Sequence, residues 1–231
     1  MGVDTIEGHL YADLSMKDTK QYGEGWCWDD KNPVLTPLLF SGKDIFMARF
    51  LDALVAHGIY VDANIDEKRK PADAFCIVNR FHTIDQILMR MLKESNNLYA
   101  EAMYYQIAAS TGNHPASARS ARAVERRLVD KIGLDASRYK FADGSGLSLY
   151  NYVSAELEVK MLRYAYKNEN IRHQLMPALP IAGIDGTLKK RMKGSFTRDN
   201  VKAKTGTLTG ISSLAGYCQA ANGHMLCFAI I

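Results

Sequence analysis

Residues 212–231 hold two apolar stretches, Ser212–Gln219 and Met225–Ile231, on either side of Asn222-Gly223. That dipeptide readily takes the positive φ angles of a tight turn, so the segment predicts an antiparallel hairpin. With a two-residue turn, Ala221 faces His224 and Cys218 faces Cys227. A cross-strand disulfide and two packed thiols are both open readings of that pair. A further strand signal lies at Val201–Ala203, while the middle of the chain carries helical periodicity. Helices followed by antiparallel strands predict an α/β layered protein with a mainly antiparallel sheet flanked by helices.

Residues 5–13 alternate and read as a strand; Asp44 to His57 carries a helical apolar stripe that stops at Gly58. The charged stretch 62–73, with Pro71, reads as a loop, and Ala74–Val78 as a short strand. Ile84, Ile87, Leu88, Met91 and Leu92 share one helical face, with a cap at His82 or Thr83. After a break at Ser95-Asn96-Asn97, a second stripe runs through Leu98, Ala102, Met103 and Ile107. A helix over Pro115–Ile132 carries Arg119, Arg122, Arg126 and Arg127 as a solvated face. Ser154 caps a helix that runs to about Asn168. Trp26 and Trp28 read as packing anchors for the irregular segment Gly23–Asp30.

The 231 residues are 47% hydrophobic and 23% charged, enough for a packed core in one domain with room for an appendage. A net charge of +4 without a long Lys/Arg run argues against nucleic acid as partner. No apolar stretch approaches a membrane span, and no signal-peptide pattern follows Met1. The last residues, Met225–Ile231, stop inside a strand pattern, so the chain reads as a piece of a longer protein, incomplete at both ends.

Two short motifs carry chemistry. Ser95-Asn96-Asn97 fits Ser-x-Asn at a helix break, and Lys204-Thr205-Gly206-Thr207 opens the C-terminal strands. Alone, the first reads as a helix cap and the second as a strand edge. In this order the pair is the arrangement of serine acyl-transferases that use Ser-x-x-Lys, Ser-x-Asn and Lys-Thr-Gly. Lys93–Ala100, Asp143–Ser148 with Tyr150-Asn151, Leu179–Leu188, Lys202–Leu208 and Gly23–Asp29 together resemble the class C low-molecular-mass penicillin-binding proteins over nearly the whole chain.

The resemblance implies a β-lactamase/transpeptidase-like fold and a serine D-Ala-D-Ala carboxypeptidase acting outside the cytoplasmic membrane, in the periplasm or an equivalent space. Its substrates would be peptidoglycan stem peptides ending in D-Ala-D-Ala, and its inhibitors β-lactams. It implies no metal and no organic cofactor. Carried over residue by residue, Ser95 would relay a proton, Asn97 would hold the substrate amide, and Lys204 would set a charge beside the terminal carboxylate. Thr205 and Thr207 would bind that carboxylate, and the Thr207 N–H would form half of an oxyanion hole. Gly206 would let substrate backbone approach, while Asp143 and Ser145 would border the site. Residues 1–70 would border the family's inserted region, with 71–231 a partial catalytic domain.

The nucleophile motif is the missing part. Of all the serines, only Ser137, with Lys140 three residues on, fits Ser-x-x-Lys. It lies between the other two motifs, where a strand into Phe141-Ala142-Asp143 would lose the one-turn geometry that lets the amine take the hydroxyl proton. The family's nucleophile precedes Ser-x-Asn, which places it upstream of Met1. A non-catalytic peptidoglycan- or partner-binding module, and a β-lactamase or esterase of the same superfamily, are the alternative readings.

Overall fold

The computed structural model describes residues 2–27 and 34–231. Trp28 and Asp29 of the quoted resemblance lie outside the described residues. The strands are β1 (Thr5–Ala12), β2 (Tyr60–Glu67), β3 (Lys202–Leu208), β4 (Ile211–Gln219) and β5 (Met225–Ile230). The helices are α1 (Phe46–Ala56), α2 (Ile84–Lys93), α3 (Asn97–Ala109), α4 (Ala118–Lys131), α5 (Ala155–Lys167) and α6 (Glu169–Ala178).

β1 and β2 pair in parallel from Thr5↔Tyr60 to Ala12↔Glu67, with α1 in the crossover. This corrects the loop expected from residue 62. Val61, Ala63 and Ile65 alternate with Asp62, Asn64 and Asp66, a period of two masked by charge. A two-stranded sheet this exposed tolerates those charges, and they discourage edge pairing. The strand expected at Ala74–Val78 is absent: the backbone is irregular there. Phe75, Ile77, Val78 and Phe81 are 67–81% exposed. An apolar run forms a strand only against a partner and a packed face, and this one has neither among the described residues.

The helix starts follow side-chain capping. Thr83 and Gln86 form a reciprocal capping box on α2, and Ser117 and Ser154 cap α4 and α5. Asn168 ends α5 and caps α6, whose Ile171 N–H it accepts at 3.3 Å. The sequence reading passed over α6, because Pro177 in its last turn and few apolar positions hide its period.

β3, β4 and β5 form an antiparallel sheet in that order. The hairpin register corrects the expected pairing. Gln219 faces Met225, the Ala220 N–H donates to the His224 carbonyl at 2.8 Å and the Ala220 carbonyl accepts from the Gly223 N–H at 2.9 Å, so the loop is the three residues 221–223, with Gly223 at φ +84°. Cys218 therefore faces Leu226 and Cys227 faces Tyr217. The one-residue offset turns the two cysteines to opposite faces, and both are thiols. Cys218 packs toward Ala203 and Val201, Cys227 toward the Val159 carbonyl of α5. Tyr217 is 1% exposed and donates its hydroxyl to the Leu162 carbonyl at 2.7 Å, locking α5 on the sheet. Ala182, Leu188, Val201 and Ala203 form the cluster that joins the loop after α6 to β3. Among the described residues no helix is long and apolar enough to cross a membrane.

Candidate active site

α2 ends at Lys93 with Glu94 as its C-terminal cap, and the chain reverses through Ser95, whose φ is +54°. The Asn96 N–H donates to the Met91 carbonyl at 3.0 Å, and its side chain caps α3 by accepting from the Tyr99 N–H at 3.2 Å. The capping expected of a Ser-x-Asn segment thus falls to Asn96. Ser95 is left free for other work, and Asn97 becomes the first residue of α3. The Lys204 Nζ on β3 donates to Ser95 Oγ at 2.7 Å and also to the Thr205 carbonyl. The two motifs, 109 positions apart, therefore meet in one place. Burial pushes the Lys204 ammonium below the ordinary lysine range, which eases its loss of a proton.

Left-handed backbone at a non-glycine residue costs about 1–2 kcal/mol. Ser95 is held in it by the Asn96 bond and by Lys204. Replacing Ser95 by glycine is expected to give a protein about 1 kcal/mol more stable than the Ser95→Ala variant. Urea denaturation of the two variants measures the difference.

β3 lies at the edge of its sheet beside this contact. The Ala203 N–H leaves the sheet to bond the Pro180 carbonyl at 3.0 Å. With a period of two, the Thr205 and Thr207 N–H groups point to the same outer edge. Thr205 Oγ1 donates to Thr187 Oγ1 at 2.9 Å, and Thr207 is exposed. Gly206 has a steric reason within the sheet. A Cβ there would collide with Ser213 Oγ on β4, so the glycine makes room for its cross-strand neighbour.

Asp143 is buried and fully engaged. Its Oδ2 accepts from Trp26 Nε1 and the Ser148 N–H, both at 2.7 Å. Its Oδ1 accepts from the Gly146 N–H at 2.9 Å and Asn151 Nδ2 at 2.8 Å. The carboxylate thus builds its own loop. Glu101 on α3, 1% exposed, holds the same loop: its Oε1 accepts the N–H groups of Gly144 at 3.0 Å and Ser145 at 2.8 Å. Burial raises its carboxyl above the ordinary range, and nearby Asp143 adds to the effect. Glu125 on α4 is likewise pushed up to about 7 by burial.

Sequence reasoning missed Glu101. The buried face of α3 is Glu101, Tyr104, Tyr105 and Ala108, rotated from the expected stripe. The spacing of two tyrosines and an alanine with that glutamate was the available signal. The arginine face of α4 is not wholly solvated either, since Arg122 pairs with Glu24 at 2.7 Å. Ser137 sits in a 3-10 turn with its hydroxyl donated to Asp135 at 2.7 Å, while Lys140 reaches Glu24 at 3.4 Å. That pair is not assembled as nucleophile and base. Two cavities, of about 170 and 520 Å³, are lined by neither Ser95 nor Lys204.

Comparison with known proteins gives the wider frame. The chain is 35% identical over 147 residues to the D-alanyl-D-alanine carboxypeptidase DacB of Haemophilus influenzae, covering 63% of this chain and 30% of the relative. It is 33% identical over 191 residues to the D-alanyl-D-alanine carboxypeptidase of an Actinomadura species, covering 79% and 35%. It thus spans about a third of the length of these relatives. The fold is that of penicillin binding protein 4 from Haemophilus influenzae: TM-score 0.85 at 24% identity, over 99% of this chain and 69% of that one. A second structure of that protein, in complex with a β-lactam, gives a TM-score of 0.72 at 30% identity over 80% and 43%. This is a transpeptidase/β-lactamase-like fold, and the model of the D-Ala-D-Ala carboxypeptidase 3 (S13) family matches residues 35–231. The chain belongs to the D-Ala-D-Ala carboxypeptidase 3 (S13) family.

Proposed function

We propose that this chain is the Ser-x-Asn and Lys-Thr-Gly portion of a serine D-Ala-D-Ala carboxypeptidase, and that polypeptide outside residues 1–231 supplies the nucleophile. The single observation that carries the reading is the 2.7 Å contact between Lys204 Nζ and Ser95 Oγ. It joins an ammonium and a hydroxyl beside a strand edge with outward N–H groups. The exposed run Phe75–Phe81 supports it further. Apolar side chains this exposed and this close in sequence favour contact with more protein.

In this reading the serine oxygen attacks the carbonyl carbon of the penultimate D-Ala. The peptide C–N bond breaks, and the proton given up by the attacking serine hydroxyl reaches the leaving D-Ala amine through the Ser95 hydroxyl, which both accepts and donates. Water then hydrolyses the ester and frees the serine. Lys204 sets positive charge beside Ser95 and the terminal carboxylate, which Thr205 and Thr207 bind. Asn97, at the start of α3, holds the substrate amide, and the Thr207 N–H stabilises the developing oxyanion. Asp143, Glu101 and Ser145 hold the neighbouring loop. Residues 1–70 border the family's inserted region, and the complete protein works outside the cytoplasmic membrane on stem peptides of the wall.

The test is release of D-alanine. The complete polypeptide is expected to liberate one D-alanine per peptide ending in D-Ala-D-Ala, and to stop when treated with a β-lactam. A complete protein that binds such peptides without cleaving them would instead be a recognition module.

A further inference from the structure

The loop between α6 and β3 is fastened to the end of α2. The Lys93 Nζ, on the last residue of α2, donates to the Leu179 carbonyl and to Asp185 Oδ2, each at 2.6 Å. Asp185 Oδ1 accepts the Ile181 N–H at 2.8 Å, so the carboxylate closes the loop on itself as well. Gly186, at φ +54°, lies so close that a Cβ there would sit 2.8 Å from the Lys93 carbonyl oxygen. Leu188 is fully buried and anchors the far side. Between these fixed points stands Thr187, whose Oγ1 accepts from Thr205 Oγ1 at 2.9 Å. The fastening begins two residues before Ser95 and ends on the residue after Lys204. It therefore sets the spacing of the two motifs from behind.

The Thr205 hydroxyl has a single proton. With no anion bound, that proton goes to Thr187. An anion at Thr205 needs the proton turned toward it, and the Thr205 oxygen then lacks a donor. Thr187 can supply one by rotating its own hydroxyl. The result is a polarised row, Thr187 O–H to Thr205 O–H to carboxylate, in which each bond strengthens the next. No bond is made or broken; two hydroxyls rotate.

We propose that Thr187 is a positioning residue for recognition of the substrate's terminal carboxylate: held by the Lys93–Asp185 clamp, it aims the Thr205 hydroxyl at the anion. The proposal rests on the carboxypeptidase reading above, and its test separates the two.

The complete polypeptide is made with Thr187→Val and Thr187→Ser, and acylation is followed with penicillin G and with its methyl ester, which lacks the anion. Thr187→Val is expected to slow acylation by penicillin G by about tenfold, the loss of one bond in a charge-assisted row. The methyl ester should react within about twofold of the unaltered rate, and Thr187→Ser should restore the acid's advantage. Equal slowing of acid and ester would make Thr187 merely structural, and no slowing would remove it from recognition; either overturns the proposal. Asp185→Asn loosens the turn without touching either hydroxyl. It should shift the acid-to-ester ratio in the same direction, which keeps the test decisive if Thr187→Val does not fold. An unaltered protein that reacts with neither compound would sink the carboxypeptidase reading and this proposal with it.

Discussion

Lys204→Met in the complete protein is expected to reduce acylation by penicillin G by about a thousandfold or more, with the fold intact. Methionine keeps most of the lysine stem, so β3 still packs, and it leaves no buried charge behind. What disappears is the ammonium that donates to Ser95 Oγ at 2.7 Å. Ser95 then has no fixed proton source on that side, and the carboxylate end of the ligand loses its cation. The variant's melting temperature should stay near that of the unaltered protein, because Lys204 is half-buried and its burial disfavours the charged form. Lys204→Arg is expected to recover little. A planar guanidinium is larger and does not lose its proton, whereas this position favours an amine that can. Adduct formation followed by intact mass measures both variants against the unaltered protein, and a thermal melt checks the fold.

The second large effect is on stability. Glu101→Ala is expected to destabilise the protein by about 3–5 kcal/mol. Both the Gly144 and Ser145 N–H groups bond to the same Glu101 Oε1 in a site that is 1% exposed. Removing that oxygen strands two buried donors and opens a cavity. Glu101→Gln keeps an oxygen in place and should lose far less. The pH dependence separates them further. Burial raises the Glu101 carboxyl above its ordinary value, so the folded form holds its proton where the unfolded form has lost it. Its contribution is full below the ordinary carboxylate range and falls as pH rises through the shifted value. The Gln variant should lack that fall. Urea denaturation across the acidic and neutral range reads both differences.

Much of this fold was legible because its signals are local. Ser154 and Thr83 announce helix starts through side chains that bond the third residue on. Ser-x-Asn and Lys-Thr-Gly are legible as chemistry through their order along the chain. What escaped depends on partners far along the chain. Whether 60–67 is strand or loop turns on β1, more than fifty residues earlier, and no local charge count settles it. The hairpin register turned on one extra loop residue, enough to send Cys218 and Cys227 to opposite faces. Glu101 carries no local sign of burial because its two partners lie more than forty residues on, in a loop whose backbone needs an acceptor. The crowding of Gly206 by Ser213 depends on the β3–β4 register and has no local sign.

The most direct measurement is to locate the penicilloyl group. The longest natural polypeptide that contains this chain is incubated with penicillin G, digested, and its modified peptide sequenced by mass spectrometry. The account predicts one modified serine, followed three residues on by lysine and lying before residue 1 of this chain. A modified serine within residues 1–231, Ser95 or Ser137 included, would contradict it.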